Sequence, residues 1–282
     1  MNGRIILPQI NPLVTQSEIS EFITQKIAPN GLEGGVIGLS GGVDSSTVAF
    51  LTAYAFDQHY RKTRNRLKLV CIQLPSNTNW PGDKEYAREV IEILQSKYPG
   101  CLVEDFVVHI GGLIDAFRKE IPESLDEPYH IGNLSAEIRA VILSRFAAKK
   151  KCIILGTGNL DEDYNLGYFT KRGDGAVDIS PIGGLSKRLV RVLAAHMGVP
   201  QRIIGRAPTA GLWHGQTDEG ELGFKYEEAE KVLIGHGLGM SAKEIQAETG
   251  IQLGKIGKIL SMHGKNKHKM CMPPVASVSF LK

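Results

Sequence analysis

No cysteine of this chain has a partner at C-x-x-C spacing; the four present, Cys71, Cys101, Cys152 and Cys271, are scattered. That excludes the usual zinc and dithiol motifs, and because three of them lie in or at the start of apolar runs, reduced thiols packed in a core are expected. No sign of charge dominates: 33 basic residues face 30 acidic ones, a net charge of +3. Charge by itself therefore implies neither a nucleic-acid footprint nor a polyacidic partner. No apolar stretch approaches membrane-spanning length. The N-terminal MNGRIILPQINPLV has a short apolar run cut by Pro8 and polar residues, too brief for a secretory h-region. A cytoplasmic location is the expectation that remains. Repeats, low-complexity tracts and linkers are also missing, so one unit over residues 1–282 is expected, and a hydrophobic fraction of 42% suffices for a sizeable α/β core.

What is present is concentrated in GGVIGLSGGVDSS, Gly34 to Ser46. Val36, Ile37 and Leu39 suit a buried strand, Gly41 and Gly42 allow a tight turn with bare backbone amides, and Asp44 to Tyr60 continues with helical spacing. Amides at a helix N-terminus form an anion site, to which Ser40, Ser45 and Ser46 add hydroxyl donors. Asp44 would repel a phosphate unless a divalent cation stood between them, so nucleotide phosphate with magnesium is the simplest account. The string resembles the pyrophosphate loop, SGGxDS, of the N-type ATP pyrophosphatases. It is neither a Walker A loop, since no Gly-Lys-Ser or Gly-Lys-Thr follows, nor a G-x-G-x-x-G fingerprint. The resemblance implies cleavage of ATP between its α and β phosphates, with an acid group activated as an adenylate. It also implies that Leu39, Ser40, Gly41, Gly42, Val43, Asp44, Ser45 and Ser46 hold ATP. The plainer alternative is a glycine-rich turn that only packs helix on strand.

Strand and helix alternate along the chain. A helix over Ser17–Ile27 precedes the motif; strands are expected over Leu67–Leu74, Cys101–Val108 and Lys151–Gly156. Between them fall helices over Asp83–Tyr98 and Asn133–Lys150, with a shorter helical segment over Leu113–Lys119 and a proline-bearing loop after it. Beyond Ser186 the pattern is helical: Ser186–Met197, Tyr226–Gly235, Ser241–Thr249 with Ser241 and Glu244 as a capping box, and Leu253–Met262. The expected fold is a doubly wound parallel α/β sheet with a helical C-terminal portion, its ligands at the carboxyl ends of strands.

Gly156 to Val190 packs Glu162, Asp174, Asp178, Lys171, Arg172, Lys187 and Arg188 into glycine-rich loop, where a fold builds a site for a charged ligand. The stretch closely resembles the NAD synthetases, whose pattern runs G-T-x-N, a glutamate, G-Y/F-x-T-K, G-D, a second aspartate and P-x-x-x-L-x-K. GNLSA at Gly132, APTAGLWHGQTDEGELG at Ala207 and HKMCMPPVAS at His268 agree with it. The resemblance implies an adenine-nucleotide α-hydrolase-like fold and amidation of deamido-NAD by ammonia with ATP as cosubstrate. By position it implies Asp44 and Glu162 as magnesium ligands and Thr157, Lys187 and Thr209 on ATP. Asn133, Arg139, Lys171, Asp178, Asp218, Glu221, His268 and Lys269 would then contact deamido-NAD, with Asp174 at the ammonia site and Asp174 and Lys187 in the chemistry. A homodimer is implied as well. For each residue alone, a turn former or solvated charge is the plain alternative.

Two departures stand out. Where the family reads N-x-x-A-R-x-R, Asn133, Ala136 and Arg139 fit but Glu137 replaces the first arginine, setting a carboxylate where relatives place a substrate-binding cation. Between Glu162 and Gly167 the spacing is one residue longer than in many relatives. The loop Ser76–Asp83 differs too, and no ligand is assigned there. Only 39 residues, none of them cysteine, precede Ser40, so no glutaminase domain is expected in this chain and ammonia should be the direct nitrogen donor, whether or not a separate glutaminase subunit supplies it. Two other readings stay open. The loop also occurs in tRNA-modifying enzymes, for which the basic HGKNKHK at His263–Lys269 would be an RNA patch. Glu137 would alternatively fit a nucleotide-binding protein with reduced synthetase activity.

Overall fold

The computed structural model describes residues 4–77, 80, 82–209 and 217–278. Asn11 accepts from the Leu13 and Val14 amides and Pro12 occupies the first turn, so α1 runs Pro12–Ile27, earlier than its apolar spacing alone predicts. There follow β1 Gly34–Gly38, α2 Val43–Thr63, β2 Lys68–Gln73, α3 Gly82–Lys97, β3 Leu102–Val107 and α4 Gly111–Glu120. Then come α5 Pro128–Lys150 and β4 Cys152–Ile154. Proline again starts rather than breaks a helix: Pro128 sits in the first turn of α5, which therefore takes in residues that read as loop.

The four strands are parallel in the order β3-β2-β1-β4. Alternation along them is strict. Ile37, Leu39, Leu69 and Cys71 pack on one side with helices α1, α2, α3 and α6 (Lys187–Met197, below), while Val36, Val70, Ile72 and Ile154 pack on the other with Ile114 of α4 and Leu134 and Ile138 of α5. Helices thus cover both faces, the doubly wound arrangement expected. Each fully buried Ile, Leu or Phe contributes roughly 1.5–3 kcal/mol of burial. Cys71, Cys101 and Cys152 are buried and unpaired, and burial pushes the thiols of Cys101 and Cys152 up to about 12 and about 11, so none is poised as a nucleophile.

After β4 comes a π-helical turn, Leu160–Leu166, then α6 Lys187–Met197, α7 Gln201–Ile204, α8 Asp218–Leu222, α9 Tyr226–Gly237, α10 Ala242–Thr249 and α11 Leu253–Asn266. Ser241 and Glu244 form the capping box of α10. A third apolar cluster joins Leu166 of the π turn to Leu222, Phe224, Tyr226, Val232, Ile245 and Ile256. Among the described residues no helix is long and apolar enough to cross a membrane.

Candidate active site

Successive strands from β1 to β3 step one way across the sheet, and β4 lies on the other side of β1. The reversal leaves a crevice beyond the carboxyl ends of β1 and β4, where chain leaving both strands meets. The glycine-rich loop enters it from β1. Gly41 has φ +77°, and a Cβ there would come within 2.6 Å of the Asp83 carbonyl oxygen, so only glycine lets the loop pass α3. The Ser40 amide donates to Ser45 Oγ and the Gly42 amide to Ser40 Oγ, both at 3.3 Å, and the two hydroxyls meet at 3.0 Å. Leu39 continues the sheet through its amide to Ile72 O, and Val43 opens α2 with Asp44, Ser45 and Ser46 in the first turn. The Ser46 hydroxyl is buried without a hydrogen-bond partner among the described residues. An anion seated here would meet first-turn amides and the Ser40 and Ser45 hydroxyls.

From β4 comes the opposing wall. Asn159 is fully buried; its Oδ1 accepts from the Asp161 and Glu162 amides, capping the π turn, and its Nδ2 donates to Asp44 Oδ1 at 3.2 Å. The Gly167 and Tyr168 amides both reach back to Glu162 O, which makes this turn wider than an α-helical one. Asp161, 1% exposed, accepts from the Lys187 amide at 2.8 Å and from Asn165 Nδ2 at 3.1 Å, pinning the start of α6 to the turn. Lys187, itself 4% exposed, then reaches Asp44 Oδ2 at 2.6 Å and Glu162 Oε1 at 2.7 Å. Its ammonium lies 5.6 Å from the Tyr226 ring centre, and the Tyr226 hydroxyl is 3.0 Å from Asp218 Oδ2 and 3.3 Å from Glu162 Oε1.

The ammonium is thus shared by two carboxylates, Asp44 and Glu162, while Asp161 holds the Lys187 backbone amide and Asp218 the Tyr226 hydroxyl close by. Burial opposes the charge on Lys187, but Asp44 and Glu162 outweigh it and hold its pKa above the ordinary lysine range. Burial drives the carboxyls of Asp161 and Asp163 up to about 6 and about 8, and Glu162 upward against the pull of Lys187. The excess of negative charge suits a divalent cation. Asp44 and Glu162 already define a cation position between them, and a magnesium ion needs only one or two protein carboxylates when phosphate oxygens complete its shell. No group of three His, Cys, Asp or Glu side chains able to hold a metal by itself occurs among the described residues, so the donor set fits a cation shared with a nucleotide.

The other candidate residues fall on α5, on α8, in the loops after β4 and α7, and in the tail. Thr157 is half-buried in the loop that carries Asn159. Thr209 is described, whereas residues 210–216 of the Ala207 segment lie outside the described residues. Asn133 Oδ1 accepts from Thr170 Oγ1 at 2.6 Å, tying α5 to the loop whose Thr170 amide donates to Asp174. A Cβ on Gly173 would meet Ala136 Cβ at 2.6 Å, so that loop lies directly on α5. Asp174 is itself exposed; the protein around it pushes its carboxyl up, and water screens much of that push. Asp178 accepts from the Ile154 amide at 2.7 Å, and Glu221 from the Tyr168 hydroxyl at 2.7 Å. Arg139 Nε donates to Leu74 O, and burial pushes its guanidinium pKa down against the pull of Asp174 and Asp83. Lys171 donates to the carbonyls of His268 and Cys271 while Lys269 donates to those of Gly167 and Phe169, a reciprocal clasp between the tail and the loop.

Asn159, Asp161 and Tyr226 are site residues that sequence reasoning did not assign. Asn159 stands in the G-T-x-N string and was within reach; Asp161 and Tyr226 read as an ordinary loop acid and a helix-start core residue. Glu137 is exposed and has neither hydrogen bond nor ion pair among the described residues.

A family model described as NAD synthase matches residues 15–273. The NH(3)-dependent NAD(+) synthetase of Methanocaldococcus jannaschii is 38% identical over 262 residues, covering 93% of this chain and 96% of that protein. That of Methanococcoides burtonii is 36% identical over 265 residues, 94% and 95%. Among solved structures, the NMN synthetase of Francisella tularensis superposes with a TM-score of 0.80 at 30% identity, covering 96% of this chain and 100% of that one. The NH3-dependent NAD synthetase of Campylobacter jejuni gives 0.74 at 25% identity, 95% and 100%. Matched by that model from Thr15 to Pro273, and by these relatives over more than nine-tenths of its length, the chain belongs to the NAD synthase family.

Proposed function

We propose that this chain converts deamido-NAD to NAD with ammonia and ATP, releasing AMP and pyrophosphate. The observation that carries the reading is the convergence of Asp44, Glu162 and Lys187 on one point beside the glycine-rich loop at the sheet's switch point. A carboxylate is a poor acyl donor until an oxygen is made able to leave. The nicotinate carboxylate attacks the α phosphorus of ATP, pyrophosphate departs into the amides and hydroxyls of the pyrophosphate loop, and Lys187 meets the charge that develops there. Magnesium held by Asp44 and Glu162 would supply further neutralisation of the triphosphate. Ammonia then attacks the acyl carbon and AMP leaves, with Asp174 holding ammonium beforehand and accepting its proton. Asn133, Arg139, Lys171, Asp178, Asp218, Glu221, His268 and Lys269 line the deamido-NAD side. For Lys171 and Lys269 to reach the substrate, their clasp on backbone carbonyls must loosen. In this reading the whole chain acts as one catalytic unit in the cytoplasm, as a homodimer. The test is product analysis: with deamido-NAD, ATP, magnesium and ammonium, equal amounts of NAD, AMP and pyrophosphate are expected, and ADP with phosphate in their place would refute it.

A second reading concerns the substrate's length. Glu137 follows Asn133 by one helical turn on the same face of α5, beside the Thr170–Asp174 loop, and it is an exposed anion. A carboxylate there favours a substrate with fewer phosphates, and the Francisella tularensis protein that superposes so well is an NMN synthetase. Kinetics with nicotinate mononucleotide and with deamido-NAD decide it. Glu137→Arg should lower the KM for deamido-NAD if position 137 faces the pyrophosphate, with the KM for ATP moving less; an unchanged value removes Glu137 from the site and with it this reading.

A further inference from the structure

Tyr226 opens α9 and is 3% exposed, its ring packed in the third apolar cluster and facing the Lys187 ammonium. Its hydroxyl lies between two carboxylates from different elements, Asp218 Oδ2 of α8 at 3.0 Å and Glu162 Oε1 of the π turn at 3.3 Å. A phenol carries one proton and can serve only one of them fully. We propose that Tyr226 is a positioning residue that couples the ATP half of the site to the substrate half by sharing its single proton between Glu162 and Asp218. The proposal rests on the functional reading above and concerns the residues that link its two halves.

In the arrangement observed, Glu162 Oε1 is also held by Lys187 at 2.7 Å. With Lys187 on the triphosphate and Glu162 holding a divalent cation, Glu162 would be a poorer acceptor for the phenol. The proton then belongs to Asp218. That residue begins α8, three positions before Glu221, and its amide donates to Pro208 O. Glu221 in turn accepts from Tyr168, which follows the π turn. Fixing Asp218 therefore fixes the start of the helix that carries both Asp218 and Glu221, which the proposed function assigns to deamido-NAD. The groups facing the phenol are Glu162, Asp218, Lys187 and, behind them, Asp44. By linkage, whatever deamido-NAD does to Asp218 acts back on ATP with the same factor.

The experiment is calorimetric titration of the full chain with deamido-NAD, in the presence and absence of the non-cleavable analogue α,β-methylene ATP with magnesium. The wild-type chain should bind deamido-NAD at least about fivefold tighter with the analogue, within the usual range of site-to-site coupling. Tyr226→Phe keeps the ring over Lys187 and removes only the shared proton; each ligand alone should still bind it, with the coupling factor falling below about twofold. Wild-type coupling in that variant, or none in the wild-type chain, would overturn the proposal. Failure of the wild-type chain to bind either ligand would overturn the functional reading and this proposal together. Should Tyr226→Phe not fold, judged by circular dichroism, Asp218→Asn carries the test: its weaker acceptor leaves the proton on Glu162 and the same loss is expected, retained coupling counting against it.

Discussion

Lys187 holds together two carboxylates that have little access to water, Asp44 and Glu162. Removing one member of such a buried set leaves charge without compensation, at a cost of about 3–5 kcal/mol. Lys187→Met should accordingly lower the Tm markedly in metal-free buffer, and magnesium should recover more of it than in the wild-type chain because the cation takes the vacated place. Equal Tm values without metal would contradict the role. Asp44→Asn and Glu162→Gln nearly keep shape while removing an anionic ligand, so each should lose activity chiefly through weaker use of magnesium and ATP; wild-type turnover with unchanged magnesium dependence would refute the assignment for that residue. Asp161 allows a pH prediction. Its carboxyl is raised from 3.8 to about 6 in the fold, chiefly by burial. Between those values the folded chain holds a proton that the unfolded chain has lost, so this group's contribution to stability declines as pH rises from about 4 to 6 and is level above. Asp161→Asn should flatten that part of the Tm–pH curve, and superimposable slopes for the two proteins would show that Asp161 does not titrate there.

At the scale of the element, the segment around Glu162 is a π turn held at both ends. Gly167 closes the π turn in the left-handed region with its amide on Glu162 O, while Asn159 caps the start through two amides. Glu162 faces Lys187 from within this wide turn. Deleting the exposed Tyr164 should convert the turn to regular α-helix with activity kept and Tm unchanged or higher, since π geometry is the less favoured one. Loss of activity in a variant that still folds would mean that the wide turn itself sets the Glu162 position. Elements elsewhere obey local rules that are visible in sequence. Pro12 and Pro128 sit where a helix has no use for an amide, which is why α1 and α5 begin earlier than their apolar spacing predicts.

Over the whole molecule, the sheet is covered on both sides, but apolar surface remains outside it. Leu113, Phe117 and Ile121 of and just beyond α4, with Tyr129 and Val141 of α5, are exposed on neighbouring helices. A surface of this kind supports the proposed homodimer. Light scattering should give twice the chain mass at working concentrations, and Phe117→Glu with Val141→Glu should shift the protein toward monomer; a fully active wild-type monomer would rule the dimer out.

Sequence by itself determined which segments become strands and where the loop turns, because both depend on short-range physics. Strict alternation in β1 and β2 sends Ile37 and Cys71 to one face and Val36 and Val70 to the other, and Gly41 and Gly42 permit the turn whatever else the chain does. It also located Asp44, Glu162 and Lys187, through a motif pattern rather than through any local propensity. Tertiary structure decided which groups these residues meet. Asn159 and Asp44 are 115 residues apart and Lys187 and Asp44 are 143 apart, and no periodicity in the chain records such contacts. Nor does it show that Lys187 faces the two carboxylates while Lys171 is taken up by tail carbonyls. The buried roles of Asp161 and Tyr226 were hidden for the same reason. A side chain's partner is set by how strand ends and helices pack around it, and that packing exists only once the chain has folded.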